Sequence, residues 1–251
     1  MTTVLKLSDV TLPGNGYPKL RDFVVPDFPV KNGLVGLYRF GYSLEASCIN
    51  HANSDLPLTV IGTPTINDFG CELSRNNCFD TGFTSTDELT VLAVAKPKKY
   101  DTNAVGALLV SNFTNADGGD SLGFAASQNF RAWVSSASGS VTAGAISMAS
   151  AVETDWNFFA CVGSAGAESK PVWGRNATLT IPAGNVVADR SVITSRTLRI
   201  GGHYSTVEFA GTCEIALMAI FTNMAMADAD ITANYEYLRS VWAPAVGIET
   251  L

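Results

Sequence analysis

The sequence predicts an all-β fold, an antiparallel sandwich or barrel, on three observations. Helical periodicity is nearly absent along most of the chain. Short β-rich runs recur, separated by turn tokens such as NADGGD, ASGS and SAGAES. Within the runs, apolar and polar residues alternate, as a strand with one buried face requires. A chain of 251 residues suits one such domain, because single sandwiches commonly reach ~200–250 residues.

The runs follow in order. LVGLYRF (34–40), LTVIG (58–62), LTVLAVA (89–95) and AVGALLVSNF (104–113) come first. SLGFAAS (121–127), FRAWVSS (130–136), VTAGAISM (141–148) and WNFFACVGS (156–164) come next. KPVWGR (170–175), ATLTIPAG (177–184), TLRIGG (197–202) and CEIALMAIF (213–221) close the set. In FRAWVSS, Phe130, Ala132 and Val134 share one face, and Arg131, Trp133 and Ser135 the other. CEIALMAIF is apolar on both faces and reads as a central strand covered on both sides.

Two segments depart from this pattern. In MADADITANYEYLRSVWA, Ile231, Tyr235, Leu238 and Trp242 recur at helical spacing. The spacing predicts a helix over 228–242, capped by Asp228, with Asp230 in its first turn and Pro244 ending it. Residues 1–32 hold Pro13, Pro18, Pro26 and Pro29 among Leu, Val and Phe. They are too apolar for a flexible linker. They read as an extended arm that either covers its own sandwich or docks on a neighbouring subunit. The expected organisation is an arm at 1–32, a sandwich at 33–243 and a tail at 244–251.

Composition narrows the function classes. Net charge is −7 and charged residues make up 16%. Duplex nucleic acid is disfavoured, because phosphate contacts need clustered Lys and Arg. The five cysteines cannot all pair within one chain, and no CxxC spacing suggests zinc. Cys161 and Cys213 sit in apolar runs as buried thiols. Cys71 and Cys78 flank a polar stretch, and their pairing stays open. The N-terminus lacks a signal-peptide pattern, and no run reaches the ~18 apolar residues of a membrane span. Synthesis in the cytoplasm and no membrane insertion are expected.

The order of landmarks is similar to that of concanavalin A-like, laminin G-like jelly-roll domains. LVGLYRF with its following polar loop and DTGF corner resembles their opening. DWNFFACVGS resembles an inner strand. TLRIGGHYSTVEFAGTCEIALMAIFTNMAMADADI resembles their closing strand, glycine gap, strand and helix start. The likeness spans residues 33–240. It implies an antiparallel jelly-roll sandwich of the concanavalin A-like type, with one C-terminal helix. Gly201 and Gly202 are expected to end a strand with positive φ or to admit another backbone.

Some glucanases of this fold place E-x-D-x-(x)-E on one strand. There the carboxylates sit about 5–5.5 Å apart for retaining hydrolysis. Here Glu214 is followed by Ala216, Met218 and Ala219, which carry no proton. Glu214 therefore reads as a paired structural acid. His51 and His203 read as loop or surface residues, with no G-x-S-x-G nucleophile to serve. No catalytic residue is assigned, and a hydrolase with a non-standard site is the remote alternative.

A sugar site needs aromatic faces and convergent polar groups. The candidates are Trp133, Trp173, Tyr204 and Phe113, with Asn112, Asn115, Asp117, Asp120, Asn129 and Arg175. The loop NFTNADGGDS (112–121) concentrates acids, amides and glycines, and Asp117 and Asp120 could hold Ca2+ through oxygen ligands. The charge-poor surface and apolar arm, with a jelly-roll domain, resemble tail, baseplate or capsid-decorating proteins of bacteriophages. That resemblance implies a non-enzymatic virion protein, anchored through 1–32 to other virion subunits or further copies, with a host glycan as possible ligand. The alternative is a calcium-assisted lectin outside a virion.

Overall fold

The computed structural model describes residues 24–248 and 251. Among the described residues, sixteen strands follow one another. They are β1 (Leu34–Arg39), β2 (Thr59–Ile61), β3 (Thr65–Ile66), β4 (Cys71–Ser74), β5 (Cys78–Thr84), β6 (Leu89–Lys96), β7 (Ala107–Ser111) and β8 (Ser121–Ala125). After them come β9 (Asn129–Ser136), β10 (Gly139–Ser147), β11 (Asn157–Gly163), β12 (Glu168–Arg175), β13 (Thr178–Thr180), β14 (Asn185–Val186), β15 (Thr197–Ile200) and β16 (Thr212–Thr222). A short helix, α1 (Leu44–Ser47), follows β1. After β16 come α2 (Asp228–Tyr237), a π turn over Leu238–Trp242 and α3 (Ala243–Val246).

Two antiparallel sheets form the expected β-sandwich. The first runs β13-β12-β11-β6-β16-β4-β3, with β1 also on β16 and β14 on β12. The second runs β10-β9-β8-β7-β15-β5-β2. β16 is the hub: β6 lines one edge, while β4 and then β1 share the other. The short strands β3, β4, β5 and β14 add to the runs read from the sequence. Their inward residues are few, such as Cys71 and Leu73 in β4 or Phe79 and Thr81 in β5, so alternation there is faint.

The central strands of the first sheet are buried on both faces. The sheet's inner face meets the second sheet through Tyr38, Phe79, Phe124, Phe130 and Phe159. Its outer face carries Leu92, Val94, Phe158, Leu217 and Phe221, which take the Ile231-Tyr235-Leu238-Trp242 stripe. Each side chain of that stripe contributes ~1.5–3 kcal/mol on burial.

Three expectations change here. The α2 N-cap is Ala227, which offers no side-chain bond; Asp228 lies in the first turn and pairs with Lys170 at 2.7 Å. Pro244 does not end the helical run. The Ala243 N–H bonds Leu238 O, five residues back, and this wider turn displaces the carbonyl that a proline ring would strike. The run stops instead at Gly247, left-handed at φ 83°, where the Ile248 N–H bonds Ala243 O. The expected boundary at 243/244 thus falls inside continuous helical structure, and Ile248 and Leu251 are buried against the second core.

The arm has two readings, and its described part takes the first: from Val24 it packs on its own domain. Phe28 is buried between Phe221 and Tyr237. Asn234 accepts from the Val30 N–H and donates to Val30 O, and Trp242 Nε1 donates to Val24 O. Residues 1–23 lie outside the described residues. The five cysteines are free thiols. Cys71 opens a strand of the first sheet and Cys78 one of the second. Burial pushes their thiols up to about 12 and about 11.

Candidate functional site

Strand register sets the chemistry of the second sheet's outer face. Thr142, Trp133, Ser121, Ser111, Arg199, Asp80 and Thr59 are successive cross-strand partners. Partners in an antiparallel ladder share a face. They therefore form one polar row across the sheet. Two loops lie over it, 112–120 and 201–211, and with Trp133 they bring together seven of the ten candidates, while Asn129, Trp173 and Arg175 lie elsewhere.

The first loop is held by two arginines. Asp120 accepts from Arg190 at 2.8 and 3.1 Å and from the Ser135 N–H at 2.8 Å. The side chains of this pair are 1% and 5% exposed. Asp117 accepts from Arg196 at 2.8 Å, and the same guanidinium donates to Asn112 O and Gly118 O. Asn112 is fully buried; it bonds the Asp120 N–H and Ser85. The calcium expectation thus meets two carboxylates that each already hold a cation of the chain. Among the described residues, no three His, Cys, Asp or Glu side chains are placed to hold a metal ion.

The second loop inserts aromatic rings. Tyr204 lies under the Arg199 guanidinium at 3.7 Å, and its hydroxyl meets Thr197 at 2.9 Å and Asp80 at 3.4 Å. Phe209 packs edge-on against Trp133, 5.5 Å away, and against Phe113. Asn115 Oδ1 accepts from Ser205 Oγ. Gly201, at φ 75°, brings its backbone onto Leu73, where a Cβ would approach to 2.2 Å. His203 is not a surface residue: it is 2% exposed. Its Nδ1 accepts from the Ser205 N–H, which leaves Nε2 to donate to Phe209 O. Burial lowers its pKa, and Arg75 and Arg199 add to that.

Trp173 stands apart, on the hairpin of β12 and β13. The register pairs Trp173 with Thr180 and Arg175 with Thr178, so these four side chains share one face. Gly174 and Leu179 take the other face, toward Tyr235 and the helical layer. The shared face lines an open cleft of about 260 Å³ with Ser150 and Asn176. Trp173 donates through Nε1 to Asn157 Oδ1 at 2.8 Å, which fixes the indole. Arg175 donates to Ser150 O at 2.6 Å and lies 3.7 Å from Asp155. The half-buried indole can take the apolar face of a sugar ring, and Asn176, Thr178 and Thr180 supply exposed hydroxyl and amide groups at its rim. The sequence placed Trp173 and Arg175 among the candidates. It missed Ser150, Asn176, Thr178 and Thr180, for which the N-A turn after KPVWGR was the available signal.

Acid–base machinery is constrained by pairing. Register places Glu72 directly opposite Glu214, a cross-strand carboxylate neighbour that the strand motif alone could not show. Lys96 bonds Glu214 at 2.9 Å and Asn67 bonds it at 3.2 Å. Glu214 is thus the paired acid that the sequence predicted. His51 is an exposed loop residue, as expected.

No family model matches this chain, and no curated protein matches it. Solved structures do. The botulinum neurotoxin serotype G binding domain aligns with TM-score 0.62 at 9% identity, over 82% of this chain and 51% of that one. The mosaic serotype C/D receptor-binding domain, with tetraethylene glycol on its Hcn sub-domain, aligns at 0.57 and 11% identity, over 87% and 51%. A type C neurotoxin structure, described as depending on two ganglioside molecules for passage into cells, aligns at 0.57 and 10%, over 82% and 51%. The chain spans about half the length of these neighbours, and at such identity the likeness is one of fold: a β-sandwich shared with toxin receptor-binding domains.

Proposed function

We propose that this protein is a non-enzymatic adhesion module that binds carbohydrate in the Trp173 cleft. One observation carries the reading. The fixed indole of Trp173 shares one hairpin face with Arg175, Thr178 and Thr180, and that face opens to solvent. The groups of the 112–120 and 201–211 loops bond one another instead, so those residues build the frame. Receptor binding by the neighbours of the same fold supports the adhesion reading. The setting we infer is the surface of a bacteriophage particle, on the resemblance of the charge-poor sequence and its apolar arm to phage structural proteins.

The test is a glycan array with the full chain beside Trp173→Ala. Saccharide binding by the wild type, lost in the variant, is expected. Binding that survives in Trp173→Ala would move the site elsewhere, and an array with no wild-type signal would overturn the reading. Mass spectrometry of purified particles checks the setting.

A further inference from the structure

Arg131 differs from the other cations of the second sheet. Arg75, Arg175, Arg190, Arg196, Arg199 and Arg239 each donate to an oxygen of the chain. Arg131 donates to none. Its Nε is buried without an acceptor, and among the described residues no carboxylate pairs with it. The chain carries 23 acids against 16 bases, so position, and not a shortage of acids, isolates this guanidinium. A donor taken from water with no acceptor loses hydration and gains no bond.

Strand register gives the reason. Arg131 pairs with Gly123 on β8 and with Ala145 on β10, so neither flanking strand sets a polar side chain opposite it. Phe130, Ala132 and Val134 fill the inner core, which turns Arg131 and Trp133 to the outer face. Both are half-buried, and Thr142 and Ala145 on the edge strand β10 are exposed beside them. Trp133 repeats the pattern. Phe209 holds its ring edge-on at 5.5 Å, yet among the described residues no atom accepts from its Nε1. Two donors without acceptors therefore share one face, with backbones about 7 Å apart along the strand.

We infer that Arg131 and Trp133 form a second binding site, which takes one acidic sugar unit. The sugar's carboxylate or sulfate oxygens accept from the guanidinium, whose planar fork matches such groups. The sugar ring lies along the indole, and a hydroxyl accepts from Nε1. This site is separate from the Trp173 cleft, which is lined from the β12–β13 hairpin and Ser150. A site for a single unit binds at roughly millimolar Kd. Titration in solution reads such binding, which a washed array does not retain.

The test is an NMR titration of the full chain. Kd is fitted from the Trp133 indole N–H, so that binding at Trp173 does not enter. The probes are galacturonic acid, galactose 6-sulfate and neutral galactose, with acetate and inorganic sulfate as anions that lack a sugar. At least one acidic sugar should bind about tenfold or more tighter than galactose, the scale of one charge-assisted hydrogen bond. Comparing the two acidic sugars names the preferred anion. Arg131→Gln should erase the preference. Because Arg131 bonds nothing in the chain, that variant should also keep its melting temperature within about 2 °C. Acidic sugars that bind no better than galactose, or no better than acetate and sulfate, would overturn the site. So would a preference that survives Arg131→Gln. A larger fall in melting temperature would give the arginine a partner within the chain and overturn it too. None of these outcomes bears on the Trp173 reading.

Discussion

The two candidate regions are built from the same kinds of residue and differ in where the polar groups point. Over the second sheet, Asp120 and Asp117 close on Arg190 and Arg196, and Tyr204 closes on Asp80 and Arg199. On the β12–β13 hairpin, Trp173 and Arg175 are held as well, by Asn157 and by Ser150 and Asp155, but Thr178 and Thr180 beside them face solvent. A loop rich in acids and amides can be wholly structural, while a three-residue edge strand leaves its donors free. The comparison teaches that bonded groups mark the frame and unspent ones mark the site.

The largest effect should come from breaking the frame. Asp120→Ala leaves Arg190 buried without its partner, and removing one member of a buried pair costs about 4 kcal/mol. Urea unfolding reads it. A loss below about 1 kcal/mol would mean the loop is not the frame. Next is the outer layer. Phe28→Ala empties the site between Phe221 and Tyr237, at about 3 kcal/mol. Deletion through residue 30 should therefore destabilise the domain, whereas deletion of 1–23 spares each of these contacts. If both deletions melt alike, the packing of residues 24–30 carries nothing.

The hairpin should answer in the opposite way. Trp173→Ala should weaken glycan binding by about 2 kcal/mol, the scale of an aromatic hot spot, with a smaller loss of stability. Calorimetry and a urea titration on the same sample separate the two. Should Asp120→Ala lose affinity per folded molecule while Trp173→Ala keeps it, the assignment of frame and site is reversed.

Fold was legible where periodicity is local. The alternation in FRAWVSS and the doubly apolar CEIALMAIF gave the sandwich core, and Ile231, Tyr235, Leu238 and Trp242 gave the helix. What was hidden depends on distant partners. Asp120 looks like a calcium ligand until Arg190, 70 residues later, is seen beside it. Glu72 has no visible relation to Glu214 until the register pairs them. Pro244 reads as a stop because a π turn leaves no mark in sequence. Trp173 was found by residue type, but its surroundings come from a hairpin too short to show alternation.

The smallest effect belongs to His203, and it sharpens the contrast by pH. Its folded pKa is depressed by burial, with Arg75 and Arg199 contributing, against about 6.5 for a free histidine. Above that value both folded and unfolded states hold the ring neutral, and its contribution to stability is complete. As pH falls below about 6.5, the unfolded chain binds the proton first, so stability is lost down to the folded pKa. Protonation would also cost Nδ1 its role as acceptor for the Ser205 N–H. Melting temperature should therefore drop between pH 7.5 and 5.5 in the wild type, and drop less in His203→Gln. Binding at the Trp173 cleft should not follow that titration, because the cleft is lined from the β12–β13 hairpin and Ser150 and not from the 201–211 loop. Equal slopes in the two proteins would show that His203 does not hold the loop, and parallel loss of binding would join the two regions into one site.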